Sequence, residues 1–265
     1  QPKFQTKHPL ASTRRGDVML LINGMPIIHI ELKRSGVDVT QAVNQIKKYA
    51  HEGVFSRGIF SLVQIFVAMT PEKTLYFANP GESKNFSPSF YFHWADFNNE
   101  EVHDWKRIGA NLLSIPMAHQ MVGYYTIADD KDETLKVLRS YQYFATTKIW
   151  ERVKETNWDD HQHRGGFIWH TTGSGKTMTS FKSAQLIAKA NDADKVSTQS
   201  ADEYRGFANI DDNVLDTEDT RNLIRVLESD SKDECLIVTS IQKMSRINTD
   251  NNIPKSTIDK INNKR

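Results

Sequence analysis

The chain has 265 residues, with 34 Lys+Arg against 33 Asp+Glu and a formal net charge of +1. At roughly 150 residues per domain this length accommodates one or two domains, and the balanced charge means that any contact with nucleic acid must come from a local basic patch. Hydrophobic residues at 38% and aromatics at 10% exclude a wholly disordered chain, and the single cysteine, Cys235, excludes an intramolecular disulfide or a cysteine-rich zinc site. The longest apolar stretch, Ile59 to Thr70, is broken by Ser61 and Gln64 and falls short of the about 20 residues that span a bilayer. The opening QPKFQTKHPL has no apolar core of the signal-peptide kind. A cytoplasmic protein without membrane association is expected.

In chain order, Val18 to Ile22 reads as an apolar strand. Asn23-Gly24 is a hairpin turn, because both residues tolerate positive φ. A second strand follows over Ile27 to Lys33, with Pro26 at its turn edge since it has no N–H to donate. Val39, Val43, Ile46 and Ala50 have helical spacing, and Thr40 or Asp38 is placed to cap that helix. Gln64–Met69 and Thr74–Ala78 form another strand pair around Pro71-Glu72-Lys73. Asn79 to Ser89 is a loop by composition, and Glu100 to Leu113 is weakly helical. A mixed-charge run, Asp129 to Glu133, marks the expected domain boundary, giving domains over 1–130 and 131–265.

The second half reads as an α/β unit: helix Tyr141–Lys154, strand Phe167–Trp169, a glycine-rich loop, helix Met178–Ala190 and strand Leu236–Ser240. Strands alternating with helices argue for a parallel sheet. Asp194-Lys195-Val196 begins like a buried strand, yet the chain turns polar at once with Ser197-Thr198-Gln199-Ser200, so residues are expected to be missing between Val196 and Ser197. Asp159-Asp160-His161-Gln162-His163 has metal-ligand residue types but reads as a solvated linker. The tryptophans Trp94, Trp105, Trp150, Trp158 and Trp169 are scattered and read as packing residues. Cys235 lacks the surroundings of a nucleophile.

Two constellations carry chemistry. His170-Thr171-Thr172-Gly173-Ser174-Gly175-Lys176-Thr177 matches G-x-x-x-x-G-K-[ST] except at its first position. Small residues there let backbone N–H groups approach phosphate oxygens, Lys176 supplies a charge, and the Thr177 hydroxyl a ligand for Mg2+. The second constellation is Glu31-Leu32-Lys33. Residues two apart on a strand share a face, so Glu31 and Lys33 point together. A plain two-residue turn sets Asp17 opposite residue 30, on the wrong face; a bulge or an odd-length loop sets it opposite Glu31, close enough for both carboxylates to share one metal. Two carboxylates and a lysine suit Mg2+-assisted phosphodiester hydrolysis. Such a triplet is ordinarily just a solvated strand face. Here the strand is apolar up to Glu31, Gln45 and Tyr49 lie on one face of the next helix, and Arg14, Arg15, Lys33, Arg34, Lys47 and Lys48 make a local basic patch.

Taken together, Asp17, Glu31-Leu32-Lys33 and Gln45-Ile46-Lys47-Lys48-Tyr49 resemble the PD-(D/E)xK and Q-x-x-x-Y motifs of RecB-like nucleases. Asn23-Gly24-Met25-Pro26, the run Ile168 to Thr177 and Thr239-Ser240-Ile241-Gln242-Lys243-Met244 are similar to the restriction (R) subunit of type I restriction–modification enzymes. The resemblance covers most of the chain from Asp17 onward. It implies an α/β protein: a PD-(D/E)xK nuclease domain with a mixed sheet flanked by helices, then part of a RecA-like, parallel-sheet helicase lobe. It implies an ATP-dependent translocase that cuts double-stranded DNA and works with methyltransferase (M) and specificity (S) subunits. It assigns Mg2+ to Asp17, Glu31 and the Leu32 carbonyl, catalysis to Lys33, and support to Gln45 and Tyr49. ATP phosphates go to Thr172, Gly173, Ser174, Gly175, Lys176 and Thr177, and adenine to Gln142.

The chain departs from that pattern in places. Gly16 stands where the motif's name has proline. Asp233-Glu234 precedes a strand, whereas the acidic pair that such an ATPase needs follows one. An N-terminal piece, ending before that pair's strand, is therefore expected. Two other readings are open: a piece that binds nucleotide, DNA or partners without turnover, and another RecB-like nuclease–helicase fusion.

Overall fold

The computed structural model describes residues 1–5, 13–156, 165–191, 214–216, 220–228, 236–238, 247 and 253–263. The chain divides into two units, Gln1–Asp129 with Glu133–Phe144, and Asp130–Asp132 with Ala145–Arg265. The cluster at 159–163, Trp158, the junction at 196–197, Asp233-Glu234-Cys235 and the run 239–244 lie outside the described residues.

In the first unit, β1 (Lys3–Gln5) pairs antiparallel with β2 (Thr13–Arg15). β3 (Val18–Ile22) and β4 (Met25–Leu32) form the hairpin expected at Asn23-Gly24, whose φ values of 50° and 83° are those a tight hairpin turn requires. Ile22 pairs with Met25 and Leu21 with Pro26, but Leu20 pairs with Ile28. Ile27 is therefore a bulge, and it shifts the register by one residue for the rest of the ribbon. Pro26 is the second residue of β4, beside the turn.

β4 joins β5 (Ile65–Met69) in parallel, and such a pair needs a crossover. α1 (Thr40–His51) supplies it. Its buried Ala42, Val43, Ile46 and Tyr49 lie on one helical face. Asp38 accepts from the N–H of Thr40 at 2.7 Å, which decides between the two expected caps. β6 (Thr74–Ala78) returns antiparallel to β5, giving a four-stranded mixed sheet in the order β3-β4-β5-β6. The α1 face of this sheet is packed with Phe66, Ala68, Leu75 and Phe77, together with Phe4 from β1 and Val54, Phe55 and Val63 from the loop after the helix. β4 and β5 are buried on both faces, which is why they read as continuous apolar runs.

The unit continues with α2 (Trp105–Ala110), capped by Asp104, and α3 (Ile115–Gly123), capped by Ser114. Of the expected Glu100–Leu113 helix only Trp105–Ala110 forms, and Glu101 bridges to Ala95 instead. A hairpin follows, β7 (Thr126–Asp129) with β8 (Thr134–Val137). Residues 130–133 of the mixed-charge run are its turn. Tyr76 of β6 is fully buried and donates to the Leu138 carbonyl at 3.0 Å. Burial raises its phenol pKa above the ordinary range. α4 (Ser140–Glu155) starts in this unit and runs into the second.

The second unit contains α5 (Lys176–Asn191), β9 (Val214–Asp216), α6 (Thr220–Glu228), β10 (Leu236–Val238) and α7 (Lys255–Asn263). β9 and β10 pair in parallel. Leu223 and Leu227, one turn apart on α6, pack with Ile247, and Ile224, Ile253 and Ile261 surround them. One expectation is corrected here. Phe167–Trp169 is not a strand: residues 165–170 carry no regular structure, and Phe167 and Trp169 are 89% and 90% exposed. Among the described residues no strand lies alongside to complete a ladder, and an apolar run without ladder partners has no reason to extend as a strand. Of the tryptophans, Trp94 is core, whereas Trp105 and Trp169 are exposed. No helix among the described residues is long and apolar enough to cross a membrane. The chain is thus a mixed α/β protein.

Candidate functional site

The buried strand β4 brings Glu31 to the α1 face of the sheet, beside Ala68 of β5. The side chain is completely buried. Its Oε1 lies 3.3 Å from Lys33 Nζ, and its Oε2 has no hydrogen-bond partner. A buried carboxylate without full hydrogen bonding is costly, so one left with an open acceptor points to a ligand or a role.

Lys33 leaves the end of β4, where its N–H donates to the Met69 carbonyl at 2.8 Å. Its Nζ donates to Gln45 Oε1 at 2.6 Å and to the Leu32 carbonyl at 3.2 Å. Gln45 Nε2 in turn donates to the Tyr49 hydroxyl at 2.6 Å, and that hydroxyl donates to the Arg15 carbonyl at 2.8 Å. The i, i+4 spacing on α1 makes the Gln45–Tyr49 step possible. One continuous chain of hydrogen bonds thus runs from Glu31 through Lys33, Gln45 and Tyr49 to the backbone just before Asp17.

Asp17 follows Arg15 and Gly16. The bulge at Ile27 pairs Val18 with Ile30, so Asp17 and Glu31 are the next residue of each chain segment beyond that pair, and Asp17 Oδ2 accepts from the Leu32 N–H at 2.9 Å. Burial raises the Tyr49 phenol pKa most, and the negative charges of Glu31 and Asp17 raise it further, so both carboxylates act on that one hydroxyl. Gly16 is needed for a reason other than its φ. A Cβ there would come within 2.7 Å of the rings of His29 and Phe4. Asp17, Glu31, Lys33, Gln45 and Tyr49 are therefore all drawn to one corner of the sheet. Among the described residues no three His, Cys, Asp or Glu side chains gather as a metal-binding group. Two carboxylates with a backbone carbonyl are the donor set on offer, and Mg2+, which retains several waters, asks for no more.

The basic patch is smaller than expected. Arg14 is taken up by the buried Glu52, with Nε to Oε2 at 2.8 Å and Nη2 to Oε1 at 2.7 Å, and that pairing holds its guanidinium above its ordinary pKa. Arg15, Arg34 and Lys48 are exposed around the site.

The phosphate loop belongs to the second unit and is shaped locally. Gly173 and Gly175 have φ of 77° and 78°, values that side-chain-bearing residues seldom adopt. The Thr171 carbonyl accepts from Ser174 Oγ at 2.7 Å and from Lys176 Nζ at 3.0 Å, and Ser174 Oγ is 2.9 Å from His170 Nδ1. Lys176 and Thr177 open the 16-residue α5, so the loop leads into a helix N-terminus. Gln142 lies in the first unit and is buried. Its Oε1 accepts from the Arg139 N–H at 2.9 Å, capping the start of α4.

Sequence reasoning missed His29 and Phe4 at this site, and took Gly16 only as a departure from the motif's proline. His29 sits within an apolar run, and a lone aromatic in the polar N-terminal stretch has no periodicity to announce it.

Residues 3–85 match a family profile described as type I restriction enzyme R protein N terminus. Residues 141–265 match one described as SWI2/SNF2 ATPase. The chain is 33% identical over 241 residues to the type I restriction enzyme SauCOLORF180P endonuclease subunit of Staphylococcus aureus strain COL, covering 88% of this chain and 24% of that protein. It is 33% identical over 259 residues to the SsaAORF53P endonuclease subunit of Staphylococcus saprophyticus, covering 93% and 26%. It is 32% identical over 167 residues to the C-terminal part of the type I restriction enzyme MpnIIP endonuclease subunit of Mycoplasma pneumoniae, covering 58% and 80%. The chain spans about a quarter of the length of the staphylococcal relatives.

Proposed function

The chain belongs to the family of type I restriction enzyme endonuclease subunits, and from that premise we propose that it carries the nuclease site and part of the motor of an ATP-driven, Mg2+-dependent DNA endonuclease. In this reading residues 1–130 are a PD-(D/E)xK nuclease domain, and residues 131–265 are the first part of a RecA-like ATPase lobe. The whole protein translocates double-stranded DNA, cuts it, and works in the cytoplasm with methyltransferase and specificity subunits. The observation that carries the nuclease reading is the hydrogen-bonded chain from Glu31 through Lys33, Gln45 and Tyr49 to the Arg15 carbonyl, beside Asp17.

Asp17, Glu31 and the Leu32 carbonyl would hold Mg2+, and the open acceptor at Glu31 Oε2 fits that duty. When bound, the metal supplies positive charge to the phosphate and a water of lowered pKa. Lys33 offsets the charge that develops on the phosphate in the transition state. Gln45 orients that ammonium, and Tyr49 ties Gln45 to the segment bearing Asp17. Arg15, Arg34 and Lys48 would take backbone phosphates, which position DNA without reading its sequence. Thr172 to Thr177 would receive the ATP phosphates, with Lys176 as the point charge and the Thr177 hydroxyl toward Mg2+, and Gln142 would meet the adenine.

The test is plasmid cleavage by the full-length subunit with its M and S partners. Lys33→Ala should abolish cutting while ATP hydrolysis continues and the thermal midpoint stays at its wild-type value, which shows that the nuclease unit is still folded. Lys176→Ala should abolish both. Intact cutting by Lys33→Ala rejects the assignment.

A further inference from the structure

Two residues before Glu31, on the same face of β4, His29 is completely buried. It takes no part in the hydrogen-bonded chain. Its ring is walled by Phe4, Tyr49, Phe55 and Phe66, with centroids 5.3 to 6.3 Å away. An apolar side chain would fill this cage without any desolvation penalty, so an imidazole there calls for a polar duty. One polar group stands in reach: Nε2 lies 3.3 Å from Glu31 Oε2. The two are not aligned as a hydrogen bond, and both are buried polar atoms without a hydrogen-bond partner. Gly16 presses on the same ring from the segment that bears Asp17, where a Cβ would lie 2.7 Å from His29 Cε1. The imidazole therefore sits between the supports of the two carboxylates.

We infer that His29 is a positioning residue: its Nε2–H donates to Glu31 Oε2 and fixes the rotation of the carboxylate that faces the divalent cation. A small rotation of either side chain completes the bond. A carboxylate has about four lone-pair positions, so Oε2 accepts from His29 and still serves a metal. Hydrogen bonds of this outer kind orient ligating carboxylates and set metal affinity. The inference rests on the reading of Glu31 as a metal ligand.

The experiment uses the full-length subunit with DNA and without nucleotide. Mn2+ binding is followed by electron paramagnetic resonance, Mg2+-dependent cleavage is measured with M and S present, the thermal midpoint reports folding of the nuclease unit, and ATP hydrolysis reports that of the motor. His29→Phe should weaken both Mn2+ binding and cleavage about 10- to 100-fold with ATP hydrolysis intact. His29→Gln, which keeps an N–H donor within reach, should restore most of both. Wild-type Mn2+ binding by His29→Phe, alongside loss of binding in Glu31→Gln, overturns the role of His29 and leaves the site reading standing. Normal binding and cutting by Glu31→Gln overturns both. Should His29→Phe lower the thermal midpoint as well, His29→Gln decides: weak Mn2+ binding in a protein with the wild-type midpoint contradicts the donor role, and strong binding supports it.

Discussion

The two candidate sites are built in opposite ways. The phosphate loop is eight consecutive residues whose shape comes from its own glycines and from bonds to the Thr171 carbonyl. The carboxylate site draws Asp17, Glu31, Lys33, Gln45 and Tyr49 from three elements, and each is held by a neighbour that sequence distance hides. The loop keeps its form beside a segment, 165–170, that has no strand alongside it among the described residues. The carboxylate corner depends on register, a bulge and an aromatic core. Damage to packing should therefore fall on the nuclease site and spare the loop.

Gly16→Ala tests that contrast most severely. The new Cβ must displace the packed rings of Phe4 and His29, at a cost of about 1–3 kcal/mol for overpacking. In the full-length subunit, cleavage should fall and the thermal midpoint should drop, while ATP hydrolysis holds. Equal loss of both activities would break the comparison. Gln142 sharpens it next. Gln142→Ala removes the cap of α4 and should cost about 1 kcal/mol in denaturant titration. The same variant should raise KM for ATP, since the amide proposed for adenine is gone. An unchanged KM would leave Gln142 as a cap alone.

The smallest effect concerns Asp38, at the start of α1. Hydrogen bonds from Thr40, the hydroxyl first and then the N–H, hold its carboxyl below the ordinary 3.8. A depressed folded-state pKa gives stability that is present above the unfolded value and lost as pH falls through the folded one. The difference in thermal midpoint between wild type and Asp38→Ala should thus be full at neutral pH and shrink only below about pH 3.8. A difference that persists undiminished into stronger acid would contradict it.

Much of the first sheet was legible because its cues are local. Asn23-Gly24 names its own turn, and the apolar runs of β4 and β5 mark strands buried on both faces. The need for a bulge or an odd loop followed from strand periodicity once Asp17 and Glu31 were asked to share a metal, although its position at Ile27 could not be told. Lys33 and Gln45, by contrast, meet only through tertiary structure. The hairpin of β7 and β8 was hidden because its turn, 130–133, is charged and carries no glycine or proline. Phe167–Trp169 misled in the other direction. Apolar residues favour a strand only where another strand offers hydrogen bonds, and sequence does not say whether one does.

The central claim is that Asp17 and Glu31 share one divalent cation. Anomalous diffraction from crystals of the full-length subunit soaked with Mn2+ tests it most directly. The account predicts a peak within bonding distance of a carboxylate oxygen of each residue and of the Leu32 carbonyl oxygen. A peak bound elsewhere, with Asp17 still on the Leu32 N–H and Glu31 Oε2 bare, would contradict it.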